Sequence, residues 1–110
     1  MPSDDRIYML NALWFKPNGG AEKYAEYAHA AGPVVDRFGG RMVEAYTPDL
    51  ALIGEWNPDL FFLVEWPDFN TFSRLPVDPE YRKIAHLREE ALEKSLLIRC
   101  RRMNGIGFPE

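Results

Sequence analysis

Cysteine occurs once in this 110-residue chain, as Cys100. Neither an internal disulfide nor a thiolate metal cluster is therefore open to it, and a lone thiol suits a reducing cytosol. Histidine occurs twice, as His29 and His86. Both fall away from the apolar stripes of the helices predicted below, so they read as surface residues rather than ligands or bases. That leaves no inward histidine to hold a haem. No apolar run approaches the ~20 residues that cross a bilayer, and no signal-peptide pattern opens the chain. The net charge of −4 gives no electrostatic reason to bind nucleic acid or an acidic membrane. The one basic cluster, Arg99, Arg101 and Arg102, is open to use as a local anion site, but solvated strand residues or ion pairs at an interface rim are the commoner use. Gly-rich phosphate loops, zinc-ligand spacings and the Gly-x-Ser-x-Gly elbow are all missing. A cytoplasmic protein with no metal, no cofactor, no nucleic-acid partner and no membrane partner is expected.

What is present is an apolar, aromatic-rich chain of a size that builds one core, with 14% Phe, Trp and Tyr. Its organising stretch is residues 54–66, whose second half, Leu-Phe-Phe-Leu-Val-Glu-Trp at 60–66, is set between Asn57-Pro58-Asp59 and Pro67. That length and those boundaries predict a strand. Phe61 and Leu63 point to one side and Phe62, Val64 and Trp66 to the other, so both faces need cover. Residues 7–15 form a second such strand, with Ile7, Met9, Leu13 and Phe15 opposed to Tyr8, Leu10, Ala12 and Trp14. A chain this small supplies helices for one face only. The other face is expected to meet a second copy.

Around these strands the chain reads in order. Residues 1–5 form a disordered leader, 6–103 one domain and 104–110 a C-terminal tail. After the turn at 16–20, helical spacing runs over 21–38 with Tyr24, Tyr27, Ala28, Ala31, Val34, Val35 and Phe38 on one face. Gly32-Pro33 is expected to kink or split that helix. A mixed strand follows at 41–47, with strand character resuming near 51–55. Asp68 caps a short helix, and Asp78-Pro79-Glu80 opens a longer one with Tyr81, Ile84, Ala85, Ala91 and Leu92 inward. The last strand is expected at 96–103. This order is β-α-β-β-α-β, an α+β ferredoxin-like sandwich. Its 4-1-3-2 strand order puts the two doubly apolar strands in the centre and the mixed ones at the edges.

The succession Tyr24, Tyr27, Pro33, then Phe38-Gly39-Gly40-Arg41, Gly54-Glu55-Trp56-Asn57-Pro58, Val64-Glu65-Trp66-Pro67, and Asp78-Pro79-Glu80-Tyr81-Arg82 with Arg88 resembles the bacterial family called domain of unknown function 1330, in the dimeric α+β barrel superfamily. The similarity spans residues 8–101. It implies a homodimer with a cavity between sheet and helices in each subunit. It brings no settled activity, since relatives in that superfamily include cofactor-free monooxygenases, lactone isomerases, haem-degrading enzymes and stress-response proteins.

Two polar residues interrupt the central strands. Glu65 shares a face with Phe61 and Leu63, and either pairs with Arg41 or Arg88 or serves as a general acid/base. Asn11 either makes a structural hydrogen bond or orients a substrate carbonyl or enolate. Trp14, Tyr24, Tyr27, Trp66 and Tyr81 are candidate walls of an apolar pocket with polar tips, and Arg41 a candidate charged contact. Ordinary core and dimer packing is the competing use for each ring. Two functions follow: a homodimeric binder of a small aromatic or carbonyl compound, with cofactor-independent oxygenase or isomerase chemistry in view, or a non-catalytic structural or stress-associated dimer whose pocket its own side chains fill.

Overall fold

The computed structural model describes residues 5–103. The tail expected at 104–110, and all of the leader but Asp5, lie outside the described residues. The elements are β1 (Ile7–Phe15), α1 (Gly20–Arg37), β2 (Arg41–Tyr46), β3 (Leu60–Trp66), α2 (Phe69–Ser73), α3 (Pro79–Ala91) and β4 (Leu92–Cys100). The four strands form one antiparallel sheet in the order β2-β3-β1-β4, so the doubly apolar strands are central.

Register sets which residues share a face. Ile7 lies opposite Trp66, Met9 opposite Val64, Asn11 opposite Phe62 and Leu13 opposite Leu60. These eight side chains form the inner face, against the helices. Tyr8, Leu10 and Ala12 with Glu65, Leu63 and Phe61 form the outer face, because side chains alternate along each strand. On β4, Ser95, Leu97 and Arg99 are inner, while Lys94, Leu96, Ile98 and Cys100 are outer.

The inner face carries two connected cores. One gathers Leu13, Tyr24, Tyr27, Ala31, Phe62, Leu87 and Ala91, with Tyr81 and Ile84 packed against it. The other gathers Ile7, Met9, Val34, Trp66 and Leu75. Helices are started by their expected caps: Asp68 accepts from Thr71 N at 2.7 Å, and Asp78 from the amides of Glu80 and Tyr81 at 3.0 Å. Helix α1 packs lengthwise on α3, and Lys23–Glu90 and Arg37–Asp78 ion pairs join their surfaces. The thinnest dimension, 16 Å, is that of one sheet carrying one layer of helices.

Three boundaries differ from expectation. Helix α1 runs unbroken through Gly32-Pro33. Both residues sit on its exposed side, where water serves the His29 carbonyl that Pro33 cannot reach. No strand resumes at 51–55, because Tyr46 already pairs with Phe61 and β3 offers nothing beyond Leu60. Strand β4 begins at Leu92, directly from the last turn of α3, and ends at Cys100; pairing of Leu92 with Phe15 fixes that start. The β2–β3 register also shifts between Met42 and Glu44, which leaves Val43 as an extra residue in an edge strand.

Candidate functional site

The sheet divides the eight candidate site residues. Asn11, Tyr24, Tyr27, Trp66 and Tyr81 stand on the helix side, while Glu65, Arg41 and Trp14 belong to the outer face. Glu65 and Asn11 therefore do not share a pocket, and Trp14, three residues beyond Asn11, cannot wall one with it.

On the outer face Glu65 accepts from Arg41 Nη2 at 3.2 Å, which is the arginine pairing foreseen as one of its two roles. Across the sheet they align with Tyr8 and Cys100 as a polar row at one end. The middle of the face is apolar, with Leu10, Ala12, Leu63, Leu96 and Ile98. At the far end Phe61 stacks against Tyr46 at 5.5 Å and Trp56 at 5.3 Å, and Lys94 lies 4.5 Å over the Trp14 ring. Ile98 is 45% exposed and Tyr46 49%, an apolar strip that a monomeric chain rarely leaves in water.

On the helix side the three tyrosines form a chain. Tyr24 and Tyr27 rings lie 5.3 Å apart, Tyr27 meets Tyr81 edge-on at 6.2 Å, and the Tyr27 and Tyr81 hydroxyls share a hydrogen bond of 2.8 Å. Burial pushes the Tyr24 hydroxyl up to about 12, with the Arg88 guanidinium beside it pulling the other way. Burial, reinforced by Tyr81, raises Tyr27 further. Asn11 is buried on the same inner face and donates Nδ2 to the Met9 carbonyl at 3.2 Å. Among the described residues no buried side-chain polar atom lacks a partner. Trp66 is part of the fold: it packs against Phe72 at 5.2 Å and closes over Gly40.

The helices do not cover everything. Ser95, Leu97 and Arg99 on the inner face of β4 are exposed, Leu97 to 50%. Leu97 pairs directly with Asn11. At one end of this strip a hollow of about 280 Å³ opens between Arg88, Leu92 and Ser95; at the other, Arg99 lies 4.7 Å over the Phe69 ring. Sequence reasoning did not place Arg88 or Leu97 here. Arg88 carried a signal, since it follows Tyr81 by seven residues and so sits on the same inward stripe of α3. His29 and His86 are exposed. Among the described residues no three His, Cys, Asp or Glu side chains converge on a metal site, and no helix is long and apolar enough to cross a membrane.

Comparison with known proteins agrees with this architecture. A crystal structure of the RPA0582 protein of unknown function from Rhodopseudomonas palustris is 34% identical, covers 94% of this chain and 86% of its own, and superposes with a TM-score of 0.87. A dimeric ferredoxin-like protein of unknown function from Jannaschia sp. CCS1 is 12% identical over 87% of this chain and 98% of its own, with a TM-score of 0.67. SnoaB, a cofactor-independent oxygenase from Streptomyces nogalater, is 15% identical over 94% of this chain and 99% of its own, with a TM-score of 0.66. The last two likenesses are of fold alone. No curated protein matches. The family model described as domain of unknown function (DUF1330) matches residues 18–99, and the chain belongs to that family.

Proposed function

We propose that this protein is a homodimer joined through the outer faces of its two sheets, and that each subunit binds a small organic molecule on the inner face of β4. The observation that carries the binding site is the uncovered strip at Leu97. An apolar, half-exposed floor there pairs with Asn11, on the side of the sheet that also holds the Tyr27 and Tyr81 hydroxyls and the Arg88 guanidinium beside Tyr24. Binding sites are commonly apolar walls with a few convergent polar groups. A flat aromatic or carbonyl compound fits: its ring lies along Leu97, and its oxygen meets Arg88 or a tyrosine hydroxyl.

The reaction class open to such a site is cofactor-independent proton transfer or oxygen addition on an activated compound, with negative charge on oxygen held by Arg88 and Asn11 as the orienting group. SnoaB, of like fold, is a cofactor-independent oxygenase. Glu65, on the far side of the sheet and paired with Arg41, belongs in this reading to the dimer face. The second reading, a structural dimer with a filled interior, is favoured by the satisfied hydrogen bonding of the core.

Native mass spectrometry of protein from its own host, before and after denaturation, separates the readings. A dimer with extra mass that leaves on denaturation supports the binding site and identifies the ligand. A clean dimer favours the structural reading, and a monomer at all concentrations overturns the homodimer.

A further inference from the structure

The connection between β2 and β3, residues 47–59, leaves the body of the protein as an arm. Its base is firmly held: Asp59 N donates to the Leu13 carbonyl at 2.8 Å, Asp59 Oδ2 accepts from Phe15 N at 2.8 Å, and Trp14 Nε1 donates to Asn57 Oδ1 at 3.1 Å. Its tip is not. Leu50, Leu52 and Ile53 are 75%, 86% and 97% exposed, and a hollow of about 690 Å³ lies within the curve of the arm. Among the described residues no hydrogen bond ties 48–56 to the sheet or helices. Three aliphatic side chains presented together to water, on a loop anchored at both ends, are a surface in want of a partner.

The geometry points to a second copy of this chain as that partner, with the arm of each subunit laid over β4 of the other. This rests on the face-to-face dimer proposed above and specifies it. Two observations on the molecule carry it.

The first is area. Four strands ~4.8 Å apart, with residues at ~3.4 Å spacing along each and six to nine residues in each strand, present a face of roughly 500 Å². A stable complex buries about 800 Å² on each side. The sheet face falls short by more than a third. Three aliphatic side chains at roughly 60–120 Å² each, with the rest of the arm, make up most of the difference.

The second is charge. Strand β2 and the arm carry Glu44, Asp49, Glu55 and Asp59 against Arg41 alone, while residues 92–103 carry Lys94 on the outer face, Arg99 on the inner one and Arg101 and Arg102 beyond the strand, against Glu93 alone. These are the two edges of the sheet. A two-fold axis running along the strands sets β2 and the arm of one copy over β4 of the other, opposite charge to opposite charge. An axis across the strands would lay β4 on β4, with Lys94 near the arginines. The first arrangement also brings the arm to the strand end where Lys94 stands, opposite Trp14. Asp49 and Glu55 then meet Lys94 of the partner subunit.

Three measurements test this. A dilution series by light scattering gives the dimer dissociation constant of the wild type, of Leu52→Ser/Ile53→Ser and of Leu63→Lys, with circular dichroism checking that each is folded. The arm variant is expected to weaken the dimer at least a hundredfold, and the arm residues are so exposed that the subunit fold does not depend on them. An arm variant with an unchanged constant, beside a Leu63→Lys variant that falls apart, overturns the arm and leaves the face-to-face dimer standing. If the wild type is a monomer, or if neither variant loosens the dimer, both readings fall. Zero-length carbodiimide cross-linking of a mixture of 14N- and 15N-labelled protein is expected to join Asp49 or Glu55 of one copy to Lys94 of the other. Cross-links that all stay within one copy overturn the seat on β4.

Discussion

The hydroxyls of Tyr27 and Tyr81 lie 2.8 Å apart and bind α1 to α3 directly above the inner face of the sheet. Each serves the other, and the Leu13 and Phe62 side chains in the same cluster are apolar. Tyr27→Phe removes the pair and is expected to cost about 1 kcal/mol, the net contribution of such a bond, since the half-buried Tyr81 hydroxyl can turn towards water. The double variant Tyr27→Phe/Tyr81→Phe is expected to cost less than the sum of the two single ones. Urea midpoints at one fixed protein concentration measure both.

Alkaline pH should find the tyrosines. The folded Tyr24 hydroxyl is held up to about 12 against an unfolded value of 10.0. A proton held more tightly in the folded state gives stability that is complete below pH 10 and is lost as the pH rises through 12. The loss from Tyr24 is roughly 2–3 kcal/mol, at about 1.4 kcal/mol for each pH unit. Tyr27 adds to it in the same direction. Urea midpoints between pH 9 and 12 are expected to fall, and phenolate absorbance should show two tyrosines ionising only as the protein unfolds. Arg88→Ala, which removes a lowering influence, should raise Tyr24 further.

Two glycines mark where the chain has no room. A Cβ on Gly20 would stand 2.7 Å from the Ala91 carbonyl oxygen, and one on Gly40 2.6 Å from Val35 Cγ1 and 3.0 Å from the Trp66 ring. The Ala91 carbonyl already accepts from Lys16 N at 2.9 Å and is backbone, so it cannot turn aside. Gly20→Ala and Gly40→Ala are each expected to destabilise by about 1–3 kcal/mol. Thermal unfolding measures both, with Gly20→Ala the more costly.

The Arg41–Glu65 pair should contribute little within one subunit. The Arg41 side chain is 65% exposed, and water screens a pair of this kind. Arg41→Ala is expected to change the unfolding free energy of the monomeric Leu63→Lys background by less than about 1 kcal/mol. A loss of several kcal/mol there would mean that the pair is buried within the subunit.

Much of this architecture was legible from residue order. The doubly apolar character of 7–15 and 60–66 placed both strands in the centre, where they are, and Asp78-Pro79-Glu80 marked the start of α3. The grouping of site residues was harder for a definite reason. Alternation along one strand assigns its residues to two sides, but it does not say which side of the next strand matches; that phase appears only with the pairing of Ile7 and Trp66. Glu65 therefore could not be assigned to the helices or to the open face from its strand alone. Trp14 is different, since its odd separation from Asn11 already put the two on opposite sides. The uncovered strip at Leu97 was out of reach because it depends on how far α3 reaches over β4, which no local pattern encodes.

The extra residue at Val43 bears on how this protein behaves when crowded. An edge strand with an even ladder is a template on which further chains can stack into fibres. Here the ladder loses its beat at Val43, so an incoming strand laid along β2 finds only a short run of donors and acceptors in step before the pattern slips. A sheet so rich in exposed apolar side chains is thereby steered away from endless lateral growth, and even a concentrated solution is expected to remain free of amyloid-like fibrils.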